Sequence, residues 1–171
     1  MSIIQGGRRK GAMVSLPAGA QGPAGPVATP IYAELYVSSN AVATALTVMG
    51  TFYQIVAGWV NGLSSGTTPQ AGASNIKCLS AGVYRVVVTA THTNDAISVS
   101  TFEFAVFVNG IQVAKVTQRY SGVGPTELDD IALSGLLNLG VNDLVDIRAR
   151  CTDAAAVNLT VSNINFSLVA A

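Results

Sequence analysis

Hydrophobic and polar positions alternate along most of this chain, with the period of two that belongs to β-strands. Phe102, Phe104, Val106 and Val108 fall on one side of a strand, and Tyr84, Val86, Val88 and Ala90 do the same in another. Val145, Ile147, Ala149 and Cys151 oppose Asp146, Arg148 and Arg150, so that strand has an apolar face and a charged one. The pattern predicts strands over 31–38, 44–49, 51–60, 74–79, 82–92, 99–108, 111–120, 126–139, 143–151 and 156–169. Asn109-Gly110 joins two of these runs; both central residues of a type I′ turn need positive φ, so a tight hairpin is expected there. Near the end Val157, Leu159 and Val161 keep one phase while Ile164, Phe166 and Leu168 resume in the other, which implies a bulge near Ser162-Asn163. No helical period rises above this background.

Eight to ten short antiparallel strands in about 140 residues predict an all-β sandwich or jelly roll. One uncharged stretch, from Leu35 to Ile76, contains a segment (41–60) about as long as a membrane-spanning helix. Gly50, Gly58, Gln54 and several threonines interrupt it, and its β-branched and aromatic residues suit pleated strands, so no membrane partner is expected.

Composition changes the picture in one respect. Half of the residues are hydrophobic and only 11% are charged, well under the roughly 25% of an ordinary soluble domain. A lone copy would present an unusually uncharged surface to water, and burial in an oligomer is the simplest remedy. The net charge of zero is unevenly spread. Arg8, Arg9 and Lys10 lie in a first segment without acids, which leaves the remainder acidic and favours an arm docked on an acidic surface. Three charges make a small phosphate footprint, so nucleic acid is not expected. Ile3, Ile4, Met13, Val14 and Leu16 are candidate apolar anchors in the same arm.

Gly19, Gly22 and Gly25 begin three successive Gly-x-y triplets with proline between them. A triple helix of polyproline-type chains needs glycine at every third position, because only hydrogen fits where three chains crowd together. So few triplets would hold only if a trimeric head fixed their register; a flexible linker is the other reading. The organisation expected is therefore an extended arm over 1–30 and a head over 31–171. No apolar signal-peptide core follows Arg8-Arg9-Lys10, so secretion is not expected, and Cys78 and Cys151 should remain reduced and buried.

Little in the chain points to catalysis. His92 is the sole histidine, and with Asp95, Ser98 and Ser100 it forms no ordered triad; a surface or hydrogen-bonded strand-end position is expected for it. No phosphate-binding glycine loop is present, and the cysteines and histidine lack metal-ligand spacing. Glu127, Asp129 and Asp130 lack the loop of a calcium site and read as solvated acids. No catalytic residue, metal or cofactor is expected.

Ala81-Gly82-Val83-Tyr84-Arg85-Val86-Val87-Val88 resembles the Gly-x-Tyr strand of the tumour necrosis factor and complement globular-head superfamily. Phe102 to Asn109-Gly110, Leu133 to Asp143-Leu144-Val145, and Asn165-Phe166-Ser167-Leu168 resemble its later strands, so the likeness spans about 31–171. That resemblance implies a homotrimeric TNF-like jelly roll, often behind a collagen-like stalk. Heads of this type with a brief Gly-Pro segment are similar to virion proteins of tailed bacteriophages, namely head fibres, capsid decoration proteins and fibre tips, which assemble in the host cytoplasm. The resemblance implies a structural role on the major capsid protein, with Arg8, Arg9 and Lys10 as arm contacts. A receptor-binding tip that grips a host-surface ligand through Tyr36, Tyr53, Trp59 or Tyr120, or a cellular surface-coat or filament protein, are the alternatives.

Overall fold

A computed structural model describes residues 29–39, 42–123 and 127–171, with backbone only at 122 and 123. The candidate arm contacts Arg8, Arg9, Lys10, Ile3, Ile4, Met13, Val14 and Leu16, and the triplet glycines Gly19, Gly22 and Gly25, lie outside the described residues. The described chain folds into β1 (Tyr32–Val37), β2 (Ala43–Leu46), β3 (Tyr53–Gln54), β4 (Val60–Ser65), β5 (Thr67–Gln70), β6 (Asn75–Cys78), β7 (Gly82–Asn94), β8 (Ser100–Val108), β9 (Ile111–Val123), β10 (Asp129–Leu139), β11 (Leu144–Cys151) and β12 (Val157–Ala170).

The strands form two six-stranded sheets, antiparallel throughout. A front sheet runs β10-β7-β12-β1-β4, with β2 prolonging the β1 flank of β12; a back sheet runs β5-β6-β11-β8-β9, with β3 prolonging the β6 flank of β11. Successive strands such as β7 and β8, or β10 and β11, belong to opposite sheets, so the chain winds as a jelly roll.

The inner faces meet along the predicted alternation. Tyr84, Val86, Val88, Phe166 and Leu168 of the front sheet pack over Phe102, Phe104, Val106, Val145 and Ile147 of the back sheet, all of them buried. Each such side chain contributes roughly 1.5–3 kcal/mol through removal from water. Cys78 and Cys151 are free thiols in this core, as expected.

Two local expectations hold in detail. Asn109 and Gly110 have φ of 51° and 78°, the positive values that their hairpin turn requires. The Asn109 side chain also ties this turn to the neighbouring one: Nδ2 donates to Asp143 Oδ1 at 2.8 Å, and Oδ1 accepts from the Leu144 N–H at 3.0 Å. The register of β12 against β7 shifts between Val161 and Asn163, where the phase change required a bulge.

Three expectations need correction. The run 51–60 is not one strand. The chain changes sheets there, from β3 in the back sheet to β4 in the front, and residues 55–59 turn between them with Ile55 and Ala57 buried and Trp59 Nε1 donating to the Ile55 carbonyl at 3.0 Å. The alternation of apolar residues there records burial at a crossing rather than a continuous pleat. Second, no strand was expected between 61 and 73, yet β4 runs from Val60 to Ser65 and β5 from Thr67 to Gln70; β5 lies on the edge of the back sheet, where a strand proline such as Pro69 is tolerated. Third, His92 is neither exposed nor hydrogen-bonded. β7 runs on to Asn94, so position 92 keeps the inward register of Tyr84 to Ala90, and its ring is fully buried.

The two sheets close against each other along β9 and β10. Gly135 occupies an inward position of β10, and a Cβ placed there would lie 2.5 Å from Val116 Cγ2 of β9. The absent side chain is the space into which the buried Val116 fits.

Candidate functional site

The outer faces of the two sheets differ in chemistry, and that difference locates the candidate site. On the back sheet the outward side chains of β8 and β11 include Glu103, Phe107, Asp146, Arg148 and Arg150. These groups satisfy one another. Arg148 Nε donates to Asp146 Oδ1 at 2.7 Å, and Arg150 donates to Glu103 Oε2 at 2.7 and 3.1 Å. The two guanidinium groups also lie over aromatic rings, Arg148 over Phe107 at 4.4 Å and Arg150 over Phe52 at 4.5 Å, while Phe52 meets Phe107 edge-on at 5.1 Å. The Asp146 carboxylate, by accepting these hydrogen bonds, raises the Arg148 pKa further above its ordinary value, against the smaller opposing effect of burial.

A segment around Phe52 is strapped down over this face. Gly50 N–H donates to the Cys151 carbonyl at 2.8 Å, Ile55 N–H to the Ile147 carbonyl at 3.1 Å, and Gln54 Nε2 to the Ala73 carbonyl at 2.9 Å. With Phe107 only 6% exposed although it points outward, the back face is closed by the chain's own residues.

The front sheet carries no such cover. Along the outward positions of β1, β7, β10 and β12 the only charged side chains are Glu34, Arg85 and Asp130; the rest are threonine, serine, asparagine, alanine, valine, leucine and tyrosine. A shallow groove of about 820 Å³ crosses these strands, lined by Glu34, Tyr36, Thr89, Thr91, Gln118, Asp130, Ala132, Asn163 and Asn165 among others. Its carboxylates are engaged locally: Asn165 Nδ2 donates to Glu34 Oε1, and Thr91 Oγ1 donates to Asp130 Oδ1 at 2.7 Å. Gln118 Oε1 reaches from β9 to accept the Ala132 N–H at 3.0 Å, which caps a backbone donor on the edge strand β10.

Of the aromatics considered as ligand contacts, Tyr36 is exposed, at the rim of this groove. The other three are packed. Tyr53 lies against the core, and its hydroxyl accepts the Val48 N–H at 3.0 Å; Trp59 packs near Phe166; Tyr120 is half-buried and hydrogen-bonds to Asp129, which raises the phenol's pKa. Among the described residues no group of three or more His, Cys, Asp or Glu side chains, Glu127, Asp129 and Asp130 included, could hold a metal ion. No helix of the described residues is long and apolar enough to cross a membrane.

Comparison with known proteins bears on the fold. The TNF-like protein Eiger from S. frugiperda superimposes with a TM-score of 0.59 over 83% of this chain and 92% of its own, at 14% sequence identity. The described residues fold as a TNF-like jelly roll. No protein-family model and no curated protein sequence matches the chain.

The groove was not foreseen from the sequence. Its signal was present as the absence of charge on β12, but only the strand order shows that this strand lies between β1 and β7.

Proposed function

We propose that this chain is a structural protein of a tailed-phage virion, a homotrimeric decoration or head-fibre protein that acts by binding and bracing without bond chemistry. The observation that carries the proposal is the contrast between the two outer faces. The back face is sealed by its own ion pairs and strap, whereas the front face is broad, open and nearly uncharged. Such a surface meets a neighbouring copy at little desolvation cost, because few charges have to leave water. Three heads joined through it would hold the Gly19, Gly22 and Gly25 triplets in register and gather three basic arms at one end.

Arg8, Arg9 and Lys10 then meet an acidic patch of the major capsid protein three times over, and a weak contact per arm becomes tight through effective concentration. Assembly takes place in the host cytoplasm and the product is carried on the virion.

Deletion of residues 2–18 tests the arm's role. The truncated protein is expected to remain a soluble oligomer with unchanged unfolding behaviour and to lose its occupancy on capsid particles in co-sedimentation. Undiminished occupancy would defeat the docking role, and binding of the purified protein to host cells but not to capsids would favour a receptor-binding tip.

A further inference from the structure

His92 sits where the pairing of β7 changes on both of its sides. Its ring is fully buried, and neither ring nitrogen makes a hydrogen bond; the edges of Phe104 and Phe102 pack around it with centroids 4.9 and 6.1 Å away. On one side it pairs with Asp129, the first residue of β10, so the β7–β10 ladder ends there. On the other side it pairs with Val161, where the register of β12 slips before Asn163. Ser162, the extra residue, covers the slip by donating to the Thr91 carbonyl at 3.2 Å. An unpartnered polar ring in the core and two interrupted ladders therefore coincide at a single residue.

We propose that His92 is an acid-sensitive latch: binding of a solvent proton at its free ring nitrogen makes the core position untenable and releases the 92–94 end of β7 from β10 and from the bulged part of β12.

The groups around the ring support this reading. From β10, Asp129 and Asp130 favour the cation, but Asp129 is engaged by Tyr120 and Asp130 by Thr91, and the Asp129 backbone stands near the ring without closing a hydrogen bond. β8 presents Phe102 and Phe104, and β12 presents Val161, with no charge from either. Loss of hydration outweighs the carboxylates and holds the imidazole below its ordinary value. The unfolded ring takes up its proton near pH 6.5, so below that value the unfolded chain binds more protons than the folded one. Stability is complete above about pH 6.5 and falls as the pH drops toward the folded value, by up to about tenfold in the folding equilibrium per pH unit for one proton. Ordinary carboxylates titrate near pH 4, which leaves the interval from 5 to 7 to this residue.

The test is urea unfolding of the full chain across pH 5–7.5, with and without His92→Phe, alongside NMR of the imidazole, whose signals are unambiguous because the chain has one histidine. The expected result is a native protein that weakens below pH 6.5, a variant whose stability is flat over the same range, and a folded-state ring that takes up its proton only at a lower pH than the unfolded ring. Equal pH slopes for both proteins would overturn the proposal. If the variant does not fold, the native protein decides alone. A neutral ring with protection at residues 92–94 falling selectively in acid supports the latch, and a ring titrating near 6.5 with that protection unchanged overturns it. These readouts concern a single head and do not depend on self-association.

Discussion

Gly135→Val is expected to destabilise the head by about 1–3 kcal/mol, the range for overpacking a filled interior. Valine suits a strand by propensity, so a cost would come from space alone. The first added carbon would lie 2.5 Å from Val116 Cγ2, closer than packed carbons come, and Val116 is itself buried, with little room to retreat. The strand β10 would be levered away from β9 at the line where the two sheets close. In urea the unfolding midpoint should fall by roughly 0.5–1.5 M, with the slope unchanged. The cause is separable from other effects, because Val116→Ala in the same chain removes the obstructing methyls and should recover most of the loss, with a coupling energy of about 1–2 kcal/mol between the two sites. A neutral Gly135→Val, or two losses that simply add, would mean that the seam is not close-packed at this point.

The second large effect concerns assembly rather than folding. Ala132→Arg places a cation on the outer face of β10, where that strand lines the open groove of the front sheet. Position 132 is exposed, so the single head should keep its stability to within about 0.5 kcal/mol. Association through that face would have to bury the new charge without a partner, at a cost of a few kcal/mol per contact, which corresponds to about a hundredfold weaker association or more. Velocity sedimentation over a concentration series reads this directly. Ala155→Arg, in an exposed loop away from the groove, is the control and should leave association unchanged. If Ala132→Arg assembles as the native chain does, the front face is not where copies meet.

The parts of the fold that were legible in the sequence are those in which one physical signal acts alone. In β7 and β12 one face is buried and the other is largely open, so a period of two writes itself into the side chains, and β11 keeps that period because its outward positions carry Asp146, Arg148 and Arg150. The Asn109-Gly110 turn was legible because positive φ restricts the residue types that can stand there. Where two demands overlap, the signal is lost. Between Phe52 and Ser65 the chain crosses from one sheet to the other while still burying Ile55 and Ala57, so hydrophobic spacing alone cannot mark the break. His92 could have been placed correctly, since it shares the parity of Tyr84 to Ala90; the expectation that a histidine seeks water or a partner displaced the pattern. The front groove belongs to no segment. It arises because β1, β12, β7 and β10 are brought side by side from distant parts of the chain, and pairwise order of that kind leaves no trace in local spacing.

Self-association of the chain is measured most directly by equilibrium sedimentation of the purified native protein at micromolar concentration near pH 7.5. A single species of three times the 17.5 kDa chain mass, persisting on dilution, is the predicted result. A stable species at the mass of one chain would contradict it.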